Sequence, residues 1–244
     1  MCKTKNEHGK NIEIKPVSDN KNKLLVIDNY DSFTYNLVQM FISCDLEIIV
    51  KRSDKITVED AANIDPDYLL VSPGPKDPEH AGISKELIFY FYDKIPILGV
   101  CLGMQCLNEV FGGTTKRAPV PVHGKTDMIF HQEKGIFKGM PSPFAAARYH
   151  SLVIEPVNTL SLNEESDLPY ILNEESDPPR IVTTAWNREG LIMGVELTGF
   201  PVYGVQFHPE SFMTEKGEIL IRNFLGQRPE YDRSCKNRLF FKNS

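Results

Sequence analysis

No apolar run in this chain approaches the roughly 18 residues that a membrane-spanning helix requires. Runs such as Ile97 to Leu102 are far shorter, so a membrane protein is not expected. Positive charge is also scarce: 27 Lys and Arg stand against 33 Asp and Glu, a formal net charge of -6. Nucleic-acid-binding domains more often carry a basic surface, which disfavours that class. The cysteines number five (Cys2, Cys44, Cys101, Cys106 and Cys235), and no two form a C-x-x-C pair. An odd count argues against a disulfide framework, and the spacing argues against a zinc site. A reducing, cytoplasmic compartment is the simplest home. Residues 1–23 hold six Lys and three acids, but no Arg and no apolar h-region. They fit neither a secretory nor a transit peptide and are expected to be a flexible N-terminal extension.

What is present is globular. Hydrophobic residues make up 41% and charged residues 25% of 244, enough apolar material for a real core. At roughly 100–200 residues per domain, that length fits one large α/β domain or two small ones. Residues 227–244 carry five basic and two acidic residues. They are expected to be a C-terminal tail, with Leu239, Phe240 and Phe241 available for docking. An internal oddity is a short duplication: LNEESD at 162–167 recurs at 172–177. Segment 162–177 holds six acids and no base, so the whole acid excess of the chain sits there. A metal or partner site is one reading. A solvated surface loop is the expected one, because charge-dense segments with little apolar content rarely order by themselves.

Between these segments the pattern alternates. Leu24 to Ile27, Leu46 to Val50, Tyr68 to Val71 and Pro96 to Val100 read as short buried strands. Ser32 to Ile42, Lys85 to Tyr92 and Leu102 to Phe111 carry apolar residues at helical spacing. Strand–helix–strand alternation predicts an α/β fold, a mostly parallel open sheet flanked by helices on both faces. Sites in such sheets lie at the C-terminal ends of the strands. Past about residue 120 the segments shorten, with strands expected over 126–130, 181–186, 191–196 and 202–207 and a last helix over 216–225. This second half is expected to be a smaller mixed or antiparallel β portion.

Three motifs carry chemistry. Gly99-Val100-Cys101-Leu102-Gly103 has the G-x-nucleophile-x-G shape of a nucleophile elbow. Its glycines permit a sharp strand-to-helix turn that lifts the Cys101 side chain above the sheet. The next helix then presents its N-terminus to the sulfur, which favours negative charge there. Cys106, on the helix and without flanking glycines, reads as core. A thiol nucleophile needs a base. Of the six histidines, His208 stands out in Gln206-Phe207-His208-Pro209-Glu210, directly after an apolar strand. Side chains two apart on an extended segment point to the same side. Glu210 is therefore placed to orient the imidazole, in the manner of a catalytic triad. The third motif is Val71-Ser72-Pro73-Gly74-Pro75. Prolines remove donors, so the Gly74 and Leu102 amides are left as an oxyanion hole, each worth roughly 3–4 kcal/mol in the transition state. Alone, each motif has a plainer reading: a buried cysteine in a turn, a surface salt bridge, a Pro-Gly turn.

Taken together, GVCLGMQ at 99–105, QFHPES at 206–211 and VSPGP at 71–75 resemble the class I, triad-type glutamine amidotransferases. Three further segments narrow the resemblance: VIDNYDSFTYN at 26–36, VHGK at 122–125 and RYHSL at 148–152. They are similar to the amidotransferase subunits of anthranilate synthase and of aminodeoxychorismate synthase. The resemblance covers residues 24–226, read as a single amidotransferase domain, and implies a flavodoxin-like fold of that family. It implies that Cys101 attacks the side-chain amide of L-glutamine, assisted by His208 and Glu210. A γ-glutamyl thioester forms, ammonia leaves, and water releases glutamate. Gly74, Pro75, Lys76, Gln105, Ser151 and Leu152 match positions that contact glutamine. No metal or organic cofactor is implied. The partner implied is a separate chorismate-binding synthase subunit that receives the ammonia, with anthranilate the favoured product and aminodeoxychorismate the alternative. A stand-alone γ-glutamyl hydrolase and a non-catalytic binding subunit are the competing classes. The first is opposed by the opening motif, the second by the intact Cys101, His208 and Glu210.

Three departures stand out, one of them the acidic duplication, which lengthens the region between Ser151 and the last strands. The family reads Gly-Pro-Gly where this chain reads Gly74-Pro75-Lys76. If the third position needs a positive φ, lysine costs roughly 1–2 kcal/mol there. Met104 stands where His is common, as in related branches. The plainer readings of the narrower motifs are Asp31 or Ser32 as helix N-cap, Tyr149 and His150 as packing residues, and 123–125 as an exposed loop.

Overall fold

A computed structural model describes residues 4–5, 11–12, 21–122, 124–157 and 179–227. Segment 162–177, the tail beyond residue 227, most of 1–23 and His123 lie outside the described residues. β1 (Thr4–Lys5) and β2 (Asn11–Ile12) form a small antiparallel pair.

Continuous apolar runs produce strands that are covered on both faces. β3 (Asn22–Asp28) pairs in parallel with β4 (Leu46–Arg52) on one side and β5 (Tyr68–Val71) on the other. β6 (Ile97–Val100) follows β5, again in parallel. Side chains alternate across a strand. Leu24 and Val26 therefore enter one core and Leu25 and Ile27 the other. The first core is closed by α1 (Thr34–Ile42), through Leu37, Val38 and Phe41, and by α5 (Gly217–Leu225), through Leu220, Ile221 and Phe224. The second is closed by α2 (Val58–Ile64), α3 (Ser84–Phe91) and α4 (Leu102–Val110). α1 begins two residues later than the periodicity indicates. Its N-cap position is Phe33, with no side-chain cap, so neither Asp31 nor Ser32 fills that role. The Asp31 carboxylate instead accepts the Phe33 N–H at 2.7 Å.

The second half continues the same sheet. β13 (Val202–Val205) pairs in parallel with β6 and antiparallel with β12 (Ile192–Leu197). β11 (Ile181–Asn187), β8 (Lys125–His131) and β9 (Phe144–Arg148) extend it antiparallel, giving the nine-stranded order β4-β3-β5-β6-β13-β12-β11-β8-β9. β7 (Thr114–Arg117) and β10 (Leu152–Glu155) make a separate antiparallel pair. The mostly parallel α/β sheet and its antiparallel portion thus form one surface, and β13, the central strand that joins them, brings residues near 206 beside the end of β6. Among the described residues, no helix is long and apolar enough to cross a membrane.

Candidate active site

The turn from β6 to α4 is as tight as its glycines require. A Cβ at Gly99 would lie 2.5 Å from the Gly103 carbonyl group, and one at Gly103 would lie 2.3 Å from the Val71 carbonyl oxygen. Only glycine lets α4 start this close to β5 and β6. Cys101 sits between them at φ 52, ψ -100, a conformation costly for an L-residue and held by its surroundings. Its N–H donates to the Val205 carbonyl at 2.8 Å, and its own carbonyl accepts the Gln105 N–H at 3.1 Å. Cys101 is thereby fixed at the N-terminus of α4, where the first amides, Leu102 included, have no partner inside the helix. Cys106 lies deep in the second core, and burial pushes its thiol pKa far up.

The segment after β13 carries the candidate base. His208 and Glu210 are both buried, and Nδ1 of the imidazole lies 2.6 Å from a Glu210 carboxylate oxygen. The extended-segment argument placed these two side chains together, and they are together. Burial lowers the His208 pKa, but Cys101 and Glu210 raise it more, to about 10. Nε2 of His208 and the second Glu210 oxygen are buried and make no hydrogen bond among the described residues. The His208 backbone is anchored to β9 through the Ala147 carbonyl at 3.0 Å. Edge-on rings flank the imidazole: Tyr149 at 5.0 Å and Phe33 at 5.6 Å between centroids. Tyr149 is held there by its neighbours. Arg148 Nε donates to His150 Nε2 at 3.0 Å, which puts the His150 proton on Nδ1, where it donates to the Leu152 carbonyl at 2.8 Å. His150 therefore shapes the loop.

The loop after β5 packs against the same elbow. A Cβ at Gly74 would meet Leu102 Cδ2 at 2.5 Å and Asn29 Cβ at 2.6 Å. Asn29 is fully used: its N–H donates to Ser72 Oγ at 2.9 Å, its side-chain amide to the Ser72 carbonyl at 3.1 Å, and its amide oxygen accepts from Ser84 at 2.9 Å. Gly74 thus packs directly against the Leu102 side chain. Lys76 has φ 67, so the third loop position does take the left-handed conformation that suits glycine. Lys76, Ser151 and Leu152 line one cleft of about 590 Å³ that runs past Glu79, Lys116 and Arg117. Cys101, His208 and Glu210 are not among its walls.

Gln105 is drawn elsewhere. It is buried, and its side-chain amide donates to Gln206 Oε1 at 3.3 Å, while Gln206 Nε2 donates to Cys101 Sγ at 3.5 Å. Sequence reasoning gave Gln206 no role, although a glutamine inside an apolar strand was a signal that its amide has buried partners. It also left the Phe33 contact unread.

A family model described as Glutamine amidotransferase class-I matches residues 25–227. A Bacillus subtilis protein named aminodeoxychorismate/anthranilate synthase component 2 is 46% identical over 202 residues, covering 83% of this chain and 95% of that protein. Anthranilate synthase component 2 of Cyanophora paradoxa is 43% identical, covering 83% and 97%. Aminodeoxychorismate synthase component 2 of Escherichia coli is 42% identical, covering 83% and 98%. Among solved structures, a glutamine amidotransferase from Thermotoga maritima shares the fold, with a TM-score of 0.63, 14% identity, and coverage of 87% of this chain and all of that one.

Proposed function

Since this chain belongs to the class-I glutamine amidotransferase family, we propose that Cys101 is its nucleophile, His208 its acid–base group and Glu210 the carboxylate that orients the imidazole. With the His208 pKa raised to about 10, the reactive state is a Cys101 thiolate beside the His208 imidazolium, and the sulfur attacks the side-chain amide carbon of L-glutamine. The carbonyl oxygen becomes an oxyanion, facing the Gly74 and Leu102 amides. Collapse breaks the C–N bond, and the imidazolium proton goes to the leaving nitrogen, so ammonia departs. Water then gives a proton to His208 and attacks the thioester. Glutamate leaves, and the thiolate–imidazolium pair is restored. The single observation that carries this reading is the buried His208–Glu210 pair, at 2.6 Å, beside a cysteine held at a positive φ on a helix N-terminus.

Pro75, Lys76, Ser151 and Leu152 are assigned to the glutamine head group, at the end of the site where the cleft opens. The ammonia serves a chorismate-binding synthase subunit, in the cytoplasm, with anthranilate as product. Aminodeoxychorismate is the second reading, supported by the name of the Escherichia coli relative, and the Bacillus subtilis relative's name carries both activities. The test is the complex with such a subunit. Cys101→Ala abolishes glutamine-dependent amination of chorismate, while high ammonium at alkaline pH restores it. A Cys101→Ala complex that still used glutamine would refute the mechanism. Full turnover by the lone wild-type chain would point to a stand-alone hydrolase.

A further inference from the structure

Alternation along β13 and its extension puts Val202, Gly204 and Gln206 on the face turned to α4. Val202 lies in the core beneath that helix, and a Cβ at Gly204 would sit 2.6 Å from Met104 Cγ. Every other position on this face is apolar or glycine. Gln206 has 0% exposure and Gln105 2%. Burying an amide is costly unless its polar atoms are paired, and an aliphatic residue would fill the same space at lower cost. Both ends of the Gln206 amide are paired. Its oxygen accepts from Gln105 Nε2 at 3.3 Å, and its nitrogen donates to Cys101 Sγ at 3.5 Å. The order of these two bonds matters. Because the Gln105 NH2 is a donor, it selects the oxygen of Gln206, which leaves the Gln206 NH2 for the sulfur.

We propose that Gln206 is a catalytic residue, donating to the Cys101 thiolate, and that Gln105 is a positioning residue that fixes which end of the Gln206 amide faces the sulfur. This rests on the reading of Cys101 as nucleophile. As the thiolate beside the His208 imidazolium, the sulfur carries a full negative charge beneath the protein surface. A hydrogen bond to an ionised acceptor is roughly twice as strong as a neutral one, so the contact gains strength as the thiolate forms. The same donor supports the sulfur when it leaves the thioester. Gln105 therefore acts on the sulfur from inside the protein, beside any contact it makes with glutamine.

The test uses the full chain, with Cys101 alkylation by iodoacetamide followed by peptide mass spectrometry across pH. Glutaminase kcat and KM are measured in the complex with the synthase subunit. Gln206→Met, apolar and of similar length, is expected to lower Cys101 alkylation at pH 7 by roughly tenfold to a hundredfold, in line with the loss of one hydrogen bond to a charged group. The midpoint of the alkylation profile moves to higher pH, kcat falls by a similar factor, and the glutamine KM is unchanged. Gln206→Glu, which keeps the shape but presents a carboxylate, lowers alkylation further. Gln105→Met leaves Gln206 in place and gives a smaller shift in the same direction. It also decides the matter if the Gln206 variants fail to fold. Alkylation profiles of folded Gln206→Met or Gln105→Met that superimpose on wild type would overturn the proposal, even where Cys101→Ala confirms the nucleophile. Continued glutamine use by Cys101→Ala is the separate result that would remove the underlying reading.

Discussion

Lys76→Gly is expected to stabilise the protein, against the general trend that substitutions destabilise. Lys76 has φ 67. The left-handed region costs a side chain with a Cβ roughly 1–2 kcal/mol. Glycine removes that strain but brings extra freedom to the unfolded chain, worth about 0.5–1 kcal/mol. The difference leaves a net gain of roughly 0.5–1 kcal/mol. For a domain of this size that corresponds to about 1–4 °C in Tm. Local contacts do not cancel the gain, since Lys76 forms no ion pair among the described residues and its side chain faces the open cleft.

Tyr30 provides the contrast. It has φ 64, but its hydroxyl donates to Asp54 at 2.6 Å and the Arg52 guanidinium lies 4.3 Å over its ring. Those contacts offset the strain, so Tyr30→Gly is expected to be neutral or destabilising. The assay is urea unfolding at pH 7, with midpoint and slope compared between variants, since a shifted midpoint at constant slope reports stability alone. A Lys76→Gly protein that unfolds at the same or lower urea concentration, with an unchanged slope, would refute the reasoning. Lys76 would then hold its loop through its side chain.

Two further outcomes are expected. The His208 pKa is raised from 6.5 to about 10 in the folded protein. The stabilisation linked to it is therefore fully present below about pH 6.5 and is lost as pH rises through about 10. Wild-type stability should fall over that range more steeply than that of His208→Gln, as read from urea unfolding at several pH values, and parallel curves would contradict the assignment. Segment 162–177 carries none of the proposed site residues, so shortening the duplication to one copy should leave Tm and glutaminase turnover roughly unchanged. A loss of turnover at unchanged Tm would show that the segment shapes the site or its partner contact.

The parallel half of the sheet was legible because strands buried on both faces leave unbroken apolar runs, such as Leu24–Ile27 before Asp28-Asn29 and Tyr68–Val71 before Ser72-Pro73. Tyr68–Val71 matches the expected strand end to end. The elbow was legible for a related reason: close crossing of α4 over β5 excludes any Cβ at two positions, and that exclusion is written as two glycines. α2 was missed although Thr57 and Asp60 form a reciprocal capping box, a readable signal placed before only seven residues of weak periodicity. β7 reads TTKR, with no apolar face. β9 reads FAAAR, whose alanines favour helix. Its strand character comes from pairing with β8, which no local propensity encodes. The Gln206–Cys101 contact depends on two segments more than one hundred residues apart in sequence meeting at the end of the sheet, and only the side-chain type hinted at it.

The segment from Val26 to Asn36 singled out one branch of the family, yet three of its polar residues, Asp28, Asn29 and Thr34, are buried. Asp28 is buried and accepts from the Tyr30 N–H at 2.9 Å, the Asp31 N–H at 3.3 Å and the Thr34 hydroxyl at 2.9 Å, while its other oxygen pairs with Arg52 at 3.1 Å. Asn29 ties β3 to the loop that carries Gly74, and Phe33 stands against His208. These residues build the loop, join it to the proposed oxyanion donors and close one side of the imidazole. Ser32, Tyr35 and Asn36 remain exposed, Tyr35 at 60%. The motif therefore divides between construction and presentation. Loss of synthase binding on changing Asp28 would follow from a collapsed loop as readily as from a lost contact. Tyr35 carries no such ambiguity: it lies on the solvent side of α1, opposite the buried stripe of Leu37, Val38 and Phe41, so its contribution to docking separates cleanly from the fold.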